Sequence, residues 1–127
     1  MKETIKKVEN FHLAFNQSNA EVPQLIDAET FHLRYKLMDE ENTEYLEACL
    51  SEDLTGIADA LGDQLYILCG TILKHGLQHK IEEIFHEIHM SNMSKLGEDG
   101  KPVLREDGKI LKGPGYFKPD IKNILDK

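Results

Sequence analysis

The stretch LMDEENTEYLEA, residues 37–48, carries five carboxylates in twelve positions. On a helix, where successive side chains are about 100° apart, Glu41 shares a face with Met38 and Tyr45. Those apolar neighbours belong to the stripe that a helix normally buries. Carboxylates on such a stripe repel one another unless a cation neutralises them, so Glu41 and the neighbouring Glu44 are candidates for ion binding.

A second acidic pair follows on what we predict to be the next helix. Asp59 and Asp63 are four residues apart and therefore lie on one helical face. The same segment contains glycines at positions 56, 62 and 70, and each glycine costs a helix about 1 kcal/mol relative to alanine. Small residues around two aspartates leave room for a ligand or for the close approach of another helix.

An antiparallel pairing of these two helices, joined by a short turn near Ser51, would bring residues 40–44 opposite residues 59–63. Buried, unpaired charges cost on the order of several kcal/mol per ion, so a bound cation is expected. Oxygen ligands select Mg²⁺, with Mn²⁺ as the alternative, and such ions keep positions open for water and substrate phosphates. We therefore expect a catalytic metal site, with these candidate ligands: Glu40, Glu41, Glu44, Asp59 and Asp63.

Apolar periodicity predicts four helices in residues 1–94, so the expected fold class is all-α. The predicted helices cover about residues 3–16, 28–50, 52–75 and 78–91. Ser51 is predicted to be the N-cap of the third helix, and Gly76 is predicted to end it.

The amino-acid composition changes after Ser94. Residues 95–127 contain five glycines, three prolines and two copies of Glu-Asp-Gly-Lys. The second Asp-Gly lies between two short apolar stretches and predicts a small hairpin, and a short helix is expected after Pro119. We interpret residues 1–94 as a helical domain and residues 95–127 as an irregular C-terminal arm of that domain.

The net charge of −8 is unevenly distributed along the chain. Residues 1–94 carry 17 acidic against 7 basic side chains, whereas residues 95–127 carry 6 against 8. A nucleic-acid-binding surface needs a broad basic face, so we expect no nucleic-acid partner. The N-terminus has no apolar signal core, and the longest apolar run is far shorter than the roughly 20 residues that span a bilayer. We therefore expect a cytoplasmic protein without a membrane partner, with two free thiols at Cys49 and Cys69.

Histidine motifs suggest an alternative function. Glu29 and His32, and likewise Glu83 and His86, form two Glu-x-x-His pairs, the motif that a di-iron helical bundle requires. The simpler interpretation is that these histidines lie at the surface or at helix ends.

The two acidic segments together resemble the motif of the all-α nucleoside triphosphate pyrophosphohydrolases, the superfamily that contains MazG, dimeric dUTPases and phosphoribosyl-ATP pyrophosphohydrolase. Its hallmark is Glu-Glu-x-x-Glu on one helix and Glu-x-x-Asp on the next. EENTE at 40–44 matches the first half, whereas DALGD at 59–63 keeps only Asp63, because Ala60 occupies the glutamate position. Asp59 could supply the missing oxygen. The departure at Ala60 also leaves open a non-catalytic helical interaction module of the same fold.

Further segments extend this resemblance over nearly the whole chain. They resemble a bacterial branch described as phosphoribosyl-ATP pyrophosphohydrolase-like, and they are FHLAF, Arg34, YILCGTILKHG, HMSNMSK and DGKILKGPGYFKPD. The resemblance implies a four-helix MazG-like bundle completed by formation of a homodimer or a dimer of dimers, with the arm covering the site. It also implies an enzyme that hydrolyses a nucleoside triphosphate, or a phosphoribosyl-ATP-like nucleotide, to the monophosphate and pyrophosphate with Mg²⁺.

The resemblance also suggests residue roles. Glu41, Glu44 and Asp63 would be metal ligands and Asp59 a supporting ligand, while Glu40 would be a ligand or the base that positions water. Arg34 is expected to orient the carboxylates through a salt bridge. Candidate substrate contacts are Asn92, Lys95, Lys109, Lys112 and Tyr116. The sequence does not specify which nucleotide is the substrate.

Overall fold

A computed structural model describes all residues from Met1 to Lys127 and is mostly helical. The elements are α1 (Lys2–Ala14), α2 (Ala28–Leu50), α3 (Leu54–Lys74), α4 (Ile81–Met93), β1 (Val103–Leu104), β2 (Ile110–Leu111) and α5 (Ile121–Leu125). Four main helices and a small hairpin confirm the predicted all-α class. None of the helices has both the length and the apolar character needed to cross a membrane.

The chain divides into two compact units, Met1–His79 and Lys80–Lys127. In the first unit α3 packs against both α2 and α1. In the second unit α4 lies in the same compact body as the C-terminal arm. The division of the sequence after Ser94 is a division of composition, and it stays a prediction.

The α2–α3 turn differs from its prediction in one respect. Ser51 is the C-cap of α2, and Asp53 is the N-cap of α3 because its carboxylate accepts a hydrogen bond from the Gly56 N–H at 3.0 Å. Serine and aspartate are about equally good N-caps, so composition alone could not choose between them. The turn is too short for Ser51 to leave α2 and cap α3 as well, and Glu52 makes the reversal with a φ of 52°.

The end of α3 follows its prediction at Gly76. This residue has a φ of 70°, and the N–H groups of Gly76 and Leu77 donate to the carbonyls of Leu73 and Ile72. That pattern is the Schellman motif, which glycine favours because it tolerates positive φ. A Cβ at Gly76 would also lie only 2.0 Å from the carbonyl oxygen of Val22, so any side chain here would clash with the loop before α2.

The loop at residues 17–27 is fastened to the C-terminal end of α3. The Ala20 N–H donates to the Leu73 carbonyl at 3.1 Å, and the Gln24 N–H donates to the His75 carbonyl at 2.9 Å. The Lys74 ammonium donates to the Ser18 carbonyl at 2.6 Å. Backbone groups of this irregular segment are thus satisfied by the end of a helix.

The second unit contains the predicted hairpin and terminal helix. Val103 pairs with Leu111 and Leu104 pairs with Ile110, and the turn between them includes Gly108 with a φ of 87°. Asp120 caps α5 by accepting from the Asn123 N–H at 3.2 Å. The arm is irregular but bonded to α4 within this unit, for instance through the hydroxyl of the buried Ser91, which donates to the Phe117 carbonyl at 2.8 Å.

Candidate metal centre

Three carboxylates meet where α2 and α3 face each other. One oxygen each from Glu41, Glu44 and Asp63 lies within 4.8 Å of the others. Glu41 and Asp63 are half-buried, and Glu44 is exposed. No other group of three or more potential metal ligands is this close together in the structure. The antiparallel helix pair therefore brings together three of the five carboxylates that the sequence selected.

Glu41 has the most perturbed environment of these carboxylates. Burial, followed by the proximity of Glu44 and then by the negative charges of Asp63 and Asp59, raises the pKa of Glu41 to about 7. Its Oε2 atom is buried and has no hydrogen-bond partner. A buried acceptor without a partner is costly, so this oxygen is suited to a ligand that brings positive charge.

The donor set fits a hard divalent cation. All three groups offer carboxylate oxygens, the ligand type that Mg²⁺ and Mn²⁺ prefer. The three oxygens lie within 4.8 Å of one another, and opposite oxygens around such an ion are roughly 4 Å apart. The partnerless Oε2 atom of Glu41 is the acceptor that such an ion would satisfy.

The other two predicted ligands are placed differently. Asp59 is exposed, but its charge contributes to the raised pKa of Glu41, so it lies within electrostatic reach of the cluster. Glu40 is exposed and does not belong to the three-carboxylate group. Ala60 is only 2% exposed and lies in the core of the first unit. The position that resembles a family glutamate thus points into the protein, and Asp59 lies on the accessible side.

An amide pair links the two ligand helices beside the cluster, and sequence reasoning did not identify it. The Gln64 side-chain N–H donates to the Asn42 Oδ1 atom at 3.2 Å. Asn42 directly follows Glu41, and Gln64 directly follows Asp63. Once two helices are paired through neighbouring ligands, complementary amides in adjacent positions are the signal that could have revealed this contact.

The predicted salt bridge of Arg34 to the carboxylates is wrong. Arg34 is 9% exposed and forms no salt bridge. Its Nε donates to the Thr71 hydroxyl at 3.0 Å, and its Nη2 donates to the Ile67 carbonyl at 2.7 Å. Gly70 makes this possible, because a Cβ at that position would lie 2.5 Å from Nη2. The guanidinium therefore turns toward the backbone of α3 and away from the acidic residues.

The predicted substrate contacts lie in the second unit. Asn92 is exposed on α4, and Lys109 is exposed in the hairpin. The Lys95 carbonyl accepts from the N–H of Gly113, the residue after Lys112, at 2.8 Å. The Lys112 ammonium lies 4.6 Å from the centre of the Tyr116 ring. Lys95 and the Lys112–Tyr116 pair are thus held in one neighbourhood of this unit, and their contact with substrate stays a prediction.

Neither of the two Glu-x-x-His pairs forms a group of potential metal ligands with a third residue. Glu83 forms a salt bridge with Lys127 at 2.5 Å, and its partner His86 is exposed. His32 is exposed and packs against the Phe31 ring at 4.6 Å between ring centres. Neither histidine belongs to a group of three close ligands. The geometry therefore favours the carboxylate cluster as the metal centre.

Comparisons with known proteins identify the family to which the chain belongs. A family model described as phosphoribosyl-ATP pyrophosphohydrolase matches residues 8–92, which include both ligand helices. The chain is also similar to a solved structure from Exiguobacterium sp. 255-15, described as a proposed NTP pyrophosphohydrolase. The two are 25% identical with a TM-score of 0.51, over 94% of this chain and 90% of the other. No curated protein matches the chain. Because the family model covers well over half of its residues, the chain belongs to the phosphoribosyl-ATP pyrophosphohydrolase family.

Proposed function

We propose that the protein hydrolyses a nucleoside triphosphate, or a phosphoribosyl-ATP-like nucleotide, to the monophosphate and pyrophosphate in a reaction that depends on Mg²⁺. Membership of a pyrophosphohydrolase family supports the reaction class. The observation that carries the proposal is the meeting of Glu41, Glu44 and Asp63, together with a buried oxygen of Glu41 that has no partner.

Glu41, Glu44 and Asp63 would hold the metal, with Asp59 as a supporting ligand or as a ligand to bound water. A divalent ion bound there would neutralise phosphate charge and make a bound water more acidic. The chain's own contribution is to hold four carboxylate groups on two helices. The hydrogen bond between Gln64 and Asn42 joins the same two helices next to Glu41 and Asp63 and supports their spacing.

Glu40 is the candidate general base. It lies on the same helix as Glu41 and is exposed, and its side chain makes no hydrogen bond or salt bridge that would compete with water. An ionised carboxylate free of partners can orient a water molecule and accept its proton as the phosphorus–oxygen bond forms. Glu40 would thus hold the water, whereas Glu41 would bind the metal.

The proposed contacts to the nucleotide come from residues that the sequence selected after position 91. Lys95 and Lys112 carry positive charges in one neighbourhood, and lysine binds phosphate as a point charge. Tyr116, already beneath the Lys112 ammonium, offers a ring for stacking, while Lys109 and Asn92 offer further donors. These are the proposed substrate-binding residues.

The proposed functional form is a homodimer or a pair of dimers. Leu61, Leu65 and Leu68 recur at helical spacing on α3 and are 48%, 52% and 47% exposed. A leucine stripe on the helix that carries Asp63 is a surface that a second copy of the chain would bury. Sedimentation analysis of the wild type and of Leu65→Glu tests this proposal, because a charge in the stripe should dissociate the dimer, and a wild-type monomer would contradict it.

Pyrophosphate release tests the proposed reaction. The substrates are a panel of canonical and modified nucleoside triphosphates and phosphoribosyl-ATP, each assayed with Mg²⁺, with Mn²⁺ and without metal. Release that needs metal, is lost in Glu44→Gln and is retained in Glu47→Gln is the expected result. Glu47 is the matched control because it is an exposed glutamate of α2 outside the cluster. Equal release by both variants, or no Mg²⁺ binding by folded wild-type protein, would overturn the proposal.

A further inference from the structure

A buried positive charge without a carboxylate partner lies near the far end of α3. Arg34 is 9% exposed, its guanidinium bonds only to a hydroxyl and a carbonyl, and burial lowers its pKa. The side chain next to it is His12, because a Cβ at Gly70 would lie 2.5 Å from Arg34 Nη2 and 3.2 Å from His12 Nε2. Lys74 follows Gly70 by one helical turn on the same face. Three basic residues therefore gather at this end of the helix.

Two of these three basic residues carry the positive charge. His12 is 3% exposed, and its Nδ1–H donates to the Asn19 Oδ1 atom at 2.6 Å. Burial lowers the pKa of His12, so its imidazole is neutral at pH 7. Lys74 stays cationic although burial and the charge of Arg34 lower its pKa. Arg34 and Lys74 thus form a pair of like charges, and no acidic group is bonded to either of them.

A polar cavity of about 290 Å³ opens beside Lys74. Its wall consists of the loop after α1 and the first turn of α2, and it includes Ser18, Asn19 and Thr30. Lys74 uses one ammonium N–H on the Ser18 carbonyl, which leaves two for another acceptor. The one acidic group in the wall is Asp27, whose carboxylate is the N-cap of α2 and accepts from the Thr30 N–H at 2.8 Å.

We propose that this cavity binds a phosphate group or another small oxyanion, held by Lys74 with the charge of Arg34 behind it. An anion there would neutralise a pair of like charges that the fold otherwise leaves uncompensated at a cost. Lys74 is eleven residues from Asp63, about 16 Å along the helix, so the site is separate from the carboxylate cluster. The proposal does not depend on the reaction catalysed at that cluster.

Titration calorimetry on metal-free, chelator-free protein tests the proposal. The two ligands are inorganic phosphate and adenosine monophosphate at constant ionic strength, so that a free anion and a phosphate on a nucleotide are distinguished. If inorganic phosphate and adenosine monophosphate both bind, the site accepts a terminal phosphate group. If only inorganic phosphate binds, the site accepts only the free anion. Binding of neither at millimolar concentrations overturns the proposal.

Variants at the cavity give effects of opposite sign. Lys74→Met should weaken phosphate binding about tenfold or more, because a charge-assisted hydrogen bond is lost. Lys36→Met should not change it, since Lys36 is an exposed lysine of α2 outside the cavity. Asp27→Asn should tighten binding about threefold, because it removes a negative charge from the wall while asparagine keeps the N-cap.

Equal binding by the Lys74→Met and Lys36→Met variants, or no tightening in Asp27→Asn, contradicts the proposal. If Lys74→Met does not fold, Lys74→Arg replaces it. That variant keeps the charge and should keep phosphate binding, and loss of binding in the folded protein would count against a charge-based site. The Asp27→Asn variant tests the proposal independently of the two Lys74 variants.

Discussion

Two regions of the α2–α3 pair, one around Arg34 and one around Glu41, satisfy their buried polar groups in opposite ways. Arg34 is more deeply buried than any carboxylate, yet its donors reach Thr71 and Ile67 within the protein. Glu41, near the middle of α2, keeps a buried oxygen without a partner, and its pKa rises to about 7. The first arrangement locks the helices together, whereas the second leaves one interaction to be supplied from outside.

The same pair of helices thus has one region whose hydrogen bonds stabilise the fold and another region that is suited to binding a ligand. Hydrogen bonds that the protein completes itself stabilise the fold, and a polar group that it leaves incomplete marks where a ligand binds. Changes in the carboxylate cluster should therefore alter metal-dependent properties, and changes to the hydrogen bonds of Arg34 should alter stability and leave metal binding unchanged.

The largest expected effect is in the carboxylate cluster. Glu44→Gln should lower metal-dependent pyrophosphate release by about a hundredfold or more, since bound metal contributes several kcal/mol to such reactions. The unfolding midpoint of the metal-free variant should not fall, because the substitution removes a repulsive charge. Parallel activity assays and urea titrations check both points. Wild-type activity in this variant would contradict the proposed role of Glu44 in metal binding.

A smaller effect, on stability and not on metal-dependent properties, is expected at Arg34. Arg34→Met should lower the free energy of unfolding by about 2 kcal/mol, because two hydrogen bonds to a charged donor are lost. The increase in melting temperature on adding Mg²⁺ should remain as large as in the wild type. Thermal denaturation with and without Mg²⁺ measures both quantities. Loss of the Mg²⁺ effect in this variant would mean that the two regions are coupled.

The pH dependence of stability should report on Glu41. Its pKa in the folded protein is raised from 4.5 to about 7, so its contribution to stability is complete below about pH 4.5 and is lost as the pH rises toward 7. Metal-free wild-type protein should therefore lose stability across this interval relative to Glu41→Gln. Urea titrations between pH 5 and pH 8 measure the difference. Parallel curves for the two proteins would place the Glu41 pKa near its ordinary value.

The smallest effects are expected from two glycines of α3, with opposite signs. Gly62→Ala should stabilise the protein by up to about 1 kcal/mol, because a Cβ there meets nothing within 4 Å and alanine favours a helix. Gly70→Ala should destabilise it, because its Cβ would lie 2.5 Å from Arg34 Nη2. Melting temperatures of the two variants check the signs. Stabilisation by both would show that Arg34 can move without cost.

Patterns local to one element were predictable from the sequence, and choices between neighbouring partners were not. Helical periodicity located α2, Gly76 located the end of α3 and an Asp-Gly pair located the hairpin, since each pattern depends on residues close together along the chain. The shared face of Glu41 and Glu44 and its position opposite Asp63 also followed from periodicity and a short turn.

The role of Arg34 could not be predicted in the same way. The expected ion pair of Arg34 with the carboxylates does not form, because the absence of a side chain at Gly70 lets the guanidinium reach the backbone of α3. Which way a long side chain turns depends on space created by a residue on another helix. The burial of Ala60 has the same origin, because it depends on how α3 rotates against its neighbours.

The short connection between α2 and α3 has a consequence for folding kinetics. Glu44 and Asp63 are separated by only nineteen positions, and α2 and α3 are joined by residues 51–53. Closing so short a segment costs little chain entropy, and contacts of low sequence separation form rapidly. The carboxylates can therefore converge as soon as one helical hairpin forms, before the second compact unit of the chain contributes anything.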